Sequence, residues 1–145
     1  LPVSVEVLNQ SFDLLQEDEC VGSDHRGMLR EVFLVVDQIP RVYARVTVAN
    51  PHPELISQLV LLGNRPLGKT LLYNNAEIVR SAFTYRYYAC FALGESRRHP
   101  DFHHVSLWAR RSVFTWKEAR VTVSEFFSPT IKEYTLTQNV SFRSA

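Results

Sequence analysis

The stretch Leu29-Arg30-Glu31-Val32-Phe33-Leu34-Val35-Val36, followed by Asp37-Gln38-Ile39-Pro40 and then Arg41-Val42-Tyr43-Ala44-Arg45-Val46-Thr47-Val48-Ala49, decides the fold class. Both arms are rich in β-branched and aromatic residues. The second arm alternates with the two-residue period of a strand: Val42, Ala44, Val46 and Val48 on one side, Arg41, Tyr43, Arg45 and Thr47 on the other. Asp37 to Pro40 is turn chemistry in a connection too short for a parallel crossover. The two arms are therefore expected to pair as an antiparallel hairpin.

Outward from this hairpin, Val3 to Leu8, Ile78 to Leu93, Val105 to Trp116 and Ala119 to Phe127 read the same way, for six expected strands in all. Lys117 and Glu118 join the last two as a second tight turn. Glu54 to Leu62 reads as a helix, with Pro51 and Pro53 near its start, Leu55, Leu59 and Leu62 on one face and Gly63 at its end. Glu95 to His104, flanked by Gly94 and containing Pro100, reads as an exposed hairpin loop. There is no repeat and no linker. The expectation is a single α+β domain over residues 1–145, a six-stranded antiparallel sheet with packed helices.

Composition narrows the partners. Sixteen Lys and Arg against fifteen Asp and Glu leave a net charge of +1, too balanced for a protein that neutralises a row of phosphates, so nucleic acid is not expected. The cations are mostly Arg, which suits bidentate recognition of a carboxylate. Cys20 and Cys90 cannot form a disulfide framework and fit a reducing compartment, with the cytoplasm as the expected location. No run approaches the roughly 18 apolar residues of a membrane span.

Several motifs compete for attention. Gly63-Asn64-Arg65-Pro66-Leu67-Gly68-Lys69-Thr70 satisfies the phosphate-loop pattern GxxxxGK[ST]. That chemistry needs a strand before the loop and a parallel sheet, whereas here a helix-like segment precedes it and the strands are antiparallel. His99, Asp101, His103 and His104 cluster in one loop but lack metal-ligand spacing, and a solvated loop is the better reading. Period-two alternation puts Glu125 on the apolar side of its strand with Val121, Val123 and Phe127. It is either a tuned acid or base, or half of a structural ion pair. By alternation alone Arg45 reads as a solvated residue on a half-exposed strand. Arg110 and Arg111 must face opposite sides of theirs.

Taken in order, Leu29-Arg30-Glu31, Ala44-Arg45-Val46, Leu62-Gly63 with Pro66-Leu67-Gly68, Leu107-Trp108-Ala109-Arg110-Arg111-Ser112, and Ser124-Glu125-Phe126-Phe127 before Pro129 resemble the chorismate pyruvate-lyase (4-hydroxybenzoate synthase) family. The resemblance covers most of Val3 to Pro129 and is far more specific than any one motif. It implies a six-stranded antiparallel sheet with helices, a ligand enclosed under flap-like segments, chorismate as substrate, 4-hydroxybenzoate and pyruvate as products, and no metal or other cofactor. It further implies that Arg45 binds the ring carboxylate and that Glu125 meets the 4-hydroxyl end. Main chain at Val7 and Leu67 would contact the aromatic acid, and Lys69, Arg110 or Arg111 would take the second carboxylate. Ala109 departs from the family's usual Gly, and the Glu95 to His104 connection is longer than usual. The same fold also serves as a non-catalytic sensor domain for small molecules, which is the alternative reading.

Overall fold

The structure, a computed structural model, describes residues 3–63 and 77–130. Seven strands form one antiparallel sheet: β1 (Ser4–Leu14), β2 (Arg26–Val36), β3 (Ile39–Ala49), β4 (Val79–Arg80), β5 (Thr84–Phe91), β6 (Val105–Trp116) and β7 (Ala119–Phe127). The spatial order is β1-β2-β3-β7-β6-β4, with β5 also paired to β6. The helix α1 spans Pro53–Leu62 and follows β3.

The expected hairpin forms, with a tighter turn than the sequence suggested. Only Asp37 and Gln38 lie outside the strands, at φ of 54° and 63°, while Ile39 and Pro40 already pair with Val36 and Val35. Two successive left-handed residues match the twist of antiparallel strands. Lys117, at φ 55°, opens the corresponding turn between β6 and β7.

Among the described residues there are seven strands where six were expected. The run Ile78 to Leu93 is not one strand but two. Val79–Arg80 pairs with Phe114 and Thr115, and Thr84–Phe91 pairs with Val105 to Arg111, so both lie along the same edge of β6 with a break over Ser81 to Phe83. The first strand also runs on to Leu14. It carries a bulge at Leu8: Val7 pairs with Val32 and Asn9 with the adjacent Glu31, so Leu8 has no partner. A bulge of this kind lets residues on either side of it face opposite ways.

Alternation along the strands divides the apolar residues between two faces. One face buries Val32, Leu34, Val46, Phe114, Trp116 and Val121 against Leu55 of α1. The other buries Leu8, Phe33, Tyr43, Phe91, Phe102 and Phe126. Burial of each such side chain is worth about 1.5–3 kcal/mol.

The second face is closed partly by the segment expected to be an exposed loop, and that expectation is corrected. Residues Gly94–Arg98 and Pro100–Phe102 form two 3-10 turns that dock on the sheet. Phe102 is fully buried with its ring stacked on Phe33 at 5.4 Å, and Ser96 is buried with its hydroxyl donating to the Phe102 carbonyl at 3.2 Å. The loop is polar by composition because its charged residues point out while Phe102 and Ser96 point in. His99 has a local use, its Nδ1 accepting from the Asp101 amide at 3.2 Å.

Gly94 sits where this segment crosses Glu31, at φ 49°; a methyl group there would land on the Glu31 carboxylate. Gly94→Ala is expected to destabilise the fold by about 2 kcal/mol, combining overpacking with a disfavoured backbone angle. Urea denaturation measures this, and a loss below about 0.5 kcal/mol would mean that the segment is not held against the sheet.

Candidate active site

The strand registers line up one polar row across the second face. Asn9 pairs with Glu31, Glu31 with Arg45, Arg45 with Ser124, Ser124 with Arg111, and Arg111 with Thr84. Antiparallel partners point to the same side, so six side chains from six strands share this line. On one flank lies the aromatic row of Phe33, Tyr43 and Phe126.

Arg45 is buried, not solvated as alternation alone suggested, and only 4% of it is exposed. The reason is the segment after β1. A 3-10 turn over Glu17–Glu19 folds onto the face and inserts Glu19, which is fully buried. Arg45 Nε donates to Glu19 Oε2 at 2.9 Å and Nη2 to Oε1 at 3.1 Å, a fork-to-fork pair. Glu19 Oε1 also accepts from the Gln16 amide at 2.7 Å, which closes the turn on itself. Burial by itself works to lower the Arg45 pKa, but the hydrogen bonds and charge of Glu19, with Tyr43 and Glu31 beyond it, raise it above the ordinary arginine value. Arg45 is a fixed cation.

Two further pairs complete the row. Glu31 accepts from the Tyr43 hydroxyl at 2.5 Å, from Asn9 at 3.0 Å and from the Glu95 amide at 2.9 Å. Arg111 donates from Nε to Ser124 Oγ at 3.0 Å and from Nη1 to Asp18. The turn thus places neighbouring carboxylates, Asp18 and Glu19, on two arginines of one row.

Beside these groups lies a cavity of about 310 Å³, lined among others by Glu19, Arg45, Arg86, Tyr88, Arg111 and Phe126. That volume is at the lower end of small-molecule sites. Arg86 stands over the Tyr88 ring at 4.8 Å. The site therefore combines three guanidinium groups, two of them paired with Glu19 and Asp18, with aromatic walls.

Glu125 occupies the other face. Its row runs Val7, Val32, Ala44, Glu125, Arg110, Tyr85. The strand pattern had put Glu125 with Val121 and Val123, and the registers agree. Glu125 is 3% exposed and accepts from Arg110 Nε at 2.8 Å, with Nη2 at 3.4 Å from the second oxygen. Burial pushes its carboxyl pKa up, and the hydrogen bonds and charge of Arg110 pull it back only in part. Arg110 and Arg111 face opposite sides, as their adjacency requires.

Of Val7, Arg45 and Glu125, Arg45 alone lines the cavity, and of Arg110 and Arg111 it is Arg111 that does. Val7 lies on the edge strand β1, part-exposed and one residue before the bulge, in the same row as Glu125. Leu67 lies outside the described residues, as does Lys69. The phosphate-loop pattern falls mostly there too, but its preceding element is the helix α1, ending at Gly63 with φ 59°. Sequence reasoning missed Glu19, Asp18, Glu31 and Arg86. For Glu19 a local signal existed, an acid three residues beyond Gln16 in capping-box spacing, but nothing in it pointed to Arg45.

Comparison with known proteins identifies the family. A family model described as chorismate lyase matches residues 2–138, beyond Pro129 where the motif reading ended. A protein from Aromatoleum aromaticum named as a probable chorismate pyruvate-lyase is 35% identical over 145 residues, covering 90% of this chain and 75% of that protein. One of the same name from Nitrosospira multiformis is 31% identical over 144 residues, covering 90% and 76%. Among solved structures, the C-terminal domain of Yurk from Bacillus subtilis gives a TM-score of 0.59 at 10% identity, covering 86% of this chain and 89% of that one. A GntR-family transcriptional regulator from Enterococcus faecalis gives 0.55 at 11%, covering 88% and 94%. At such identities the likeness shows the fold alone. The family match over nearly the whole length, with relatives above 30% identity, shows that this chain belongs to the chorismate lyase family.

Proposed function

We propose that the chain is a chorismate pyruvate-lyase, a carbon-oxygen lyase that converts chorismate to 4-hydroxybenzoate and pyruvate. Family membership supports the reaction class, and one observation carries the site: a buried, permanently charged arginine, paired with Glu19, on the wall of a cavity of the right size. In the reaction the bond between the ring and the enolpyruvyl ether oxygen breaks and the hydrogen on the hydroxyl-bearing carbon leaves as a proton. That proton ends on the enolpyruvate, which becomes pyruvate. Aromatisation supplies much of the driving force, and no electron acceptor enters the balance.

The protein's contribution is position and charge. Arg45 grips the ring carboxylate through two parallel N–H donors. Phe126 and Tyr88 offer flat apolar walls for the ring, and the main chain at Val7 and Leu67 is assigned by resemblance to the aromatic acid. Glu125 is assigned to the 4-hydroxyl end; what supports this is a buried carboxyl with a raised pKa, a group suited to holding a proton. In the strand register Glu125 and Arg45 stand on opposite faces.

Incubation of the purified protein with chorismate, without added metal or nucleotide, is expected to give equimolar 4-hydroxybenzoate and pyruvate above the spontaneous background by chromatography. Tight binding of 4-hydroxybenzoate with no turnover would instead make this a sensor. Arg45→Ala would strand Glu19 without its partner, at a cost of about 3–5 kcal/mol in stability. Arg45→Lys keeps the charge and loses the fork, and is expected to weaken 4-hydroxybenzoate binding about tenfold or more by calorimetry. An unchanged dissociation constant removes Arg45 as the anchor. Glu125→Gln is expected to lower kcat by about a hundredfold; near-normal turnover would leave Glu125 only its structural pairing with Arg110.

A further inference from the structure

Asp18 and Glu19 are consecutive, and they ion-pair with Arg111 and Arg45, whose Cα atoms lie two strands apart with Ser124 between them. Arg45 is the residue assigned above to the ring carboxylate, yet both of its fork donors are committed to Glu19. A ligand carboxylate and the Glu19 carboxylate cannot occupy that fork together. The same exclusion holds at the terminal nitrogen of Arg111 that Asp18 takes.

We propose that the acidic turn Glu17–Glu19 is an internal stand-in for a dicarboxylate ligand, and that Arg111 is the residue that takes the ligand's second carboxylate. The inference rests on the lyase reading for the identity of that ligand, since chorismate carries a ring carboxylate and an enolpyruvyl carboxylate whereas the product keeps only the first. Three observations carry it. The two arginines share one row on one face, and both line the cavity. Arg110, the other candidate beside it, points to the opposite face and holds Glu125. The two pairs differ in burial: Arg45 and Glu19 are 5% and 0% exposed in their side chains, Arg111 and Asp18 27% and 60%. The Arg111 end of the turn is therefore the end at which an incoming dianion first competes, and the Arg45 end yields after it.

The consequence is a built-in preference between substrate and product. A dicarboxylate replaces both turn carboxylates and recovers both ion pairs. A monocarboxylate replaces one, leaves Asp18 on Arg111 and competes with Glu19 alone. The turn, tethered by the chain, acts as a competitor at high effective concentration, so it raises the threshold for every anion at Arg45, and the second ion pair, at Arg111, is open only to an anion with two carboxylates.

The test compares two stable probes by titration calorimetry: 4-hydroxybenzoate, and the lactyl ether of 3,4-dihydroxybenzoate at its 3-oxygen, which keeps the 4-hydroxyl and adds the second carboxylate beside it without a reactive bond. Arg111→Gln is expected to weaken the lactyl ether about tenfold, the worth of one charge-assisted pair, and to change 4-hydroxybenzoate less than about twofold. Asp18→Asn, an exposed substitution that leaves the fold intact, is expected to tighten the lactyl ether at least about threefold with 4-hydroxybenzoate unchanged. Amide exchange over Gln16 to Cys20 is expected to speed up when the lactyl ether binds, because the turn leaves the face. Equal weakening of both probes by Arg111→Gln, no effect of Asp18→Asn, or slower exchange in the turn would each overturn the proposal. Wild-type protein that binds neither probe would overturn it as well. Lack of turnover with chorismate alongside the expected probe discrimination would sink the lyase reading and leave this one standing.

Discussion

A guanidinium in the middle of a sheet face must be matched by a carboxylate or lifted into water, and Arg45 is not lifted into water. The cost of stranding such a charge without a partner is several kcal/mol, larger than most single contacts in the protein. That demand shapes the segment between β1 and β2. It brings the acidic turn down onto the sheet, seals one end of the second face and leaves the cavity beside it. The neighbouring carboxylate Glu31 is satisfied by the same logic, with donors drawn from β1, β3 and the docked segment after β5. Remove the charge of Arg45 and the acidic turn loses its main polar reason to be where it is, while the segment after β5 keeps its own contacts to Glu31 and Leu8.

Antiparallel hairpins, their tight turns and the helix before Gly63 were legible in the sequence because each is a local matter of period and turn chemistry. Strand breaks were not. Ser81 to Phe83 interrupts an otherwise good strand pattern because its neighbours pair with two separate stretches of β6, and pairing partners are not written in a local period. The docked segment Glu95 to His104 was misread for a related reason: its composition reports the many side chains that face water and hides the two that do not.

The site was legible in a different way. Arg45 and Glu125 stood out by motif, and alternation assigned Glu125 its face correctly. Alternation assigned Arg45 to the outward side of its strand, which is also correct as geometry; it could not report that the outward side is covered. Glu19 gained its meaning only from the turn that carries it onto Arg45, and Arg111 was set apart from Arg110 only by strand register, since residues far apart in the chain meet through strand order rather than through spacing. The family relationship supplied the chemistry that neither could, since likeness of architecture at about a tenth identity shows the fold alone.

The unpaired Leu8 in β1 has the character of a phase shift in a signal. Val7 and Asn9 are both odd-numbered, yet one belongs to the row of Glu125 and the other to the row of Arg45, because a single extra residue inverts the parity of everything beyond it. A strand so interrupted serves two faces without any change in its residue types. Moving or erasing such a bulge would exchange which face receives which side chains along the rest of the strand. In a sheet with chemistry-bearing groups on both sides, the position of one unpaired residue is thus as much a determinant of function as the identity of any residue in the site.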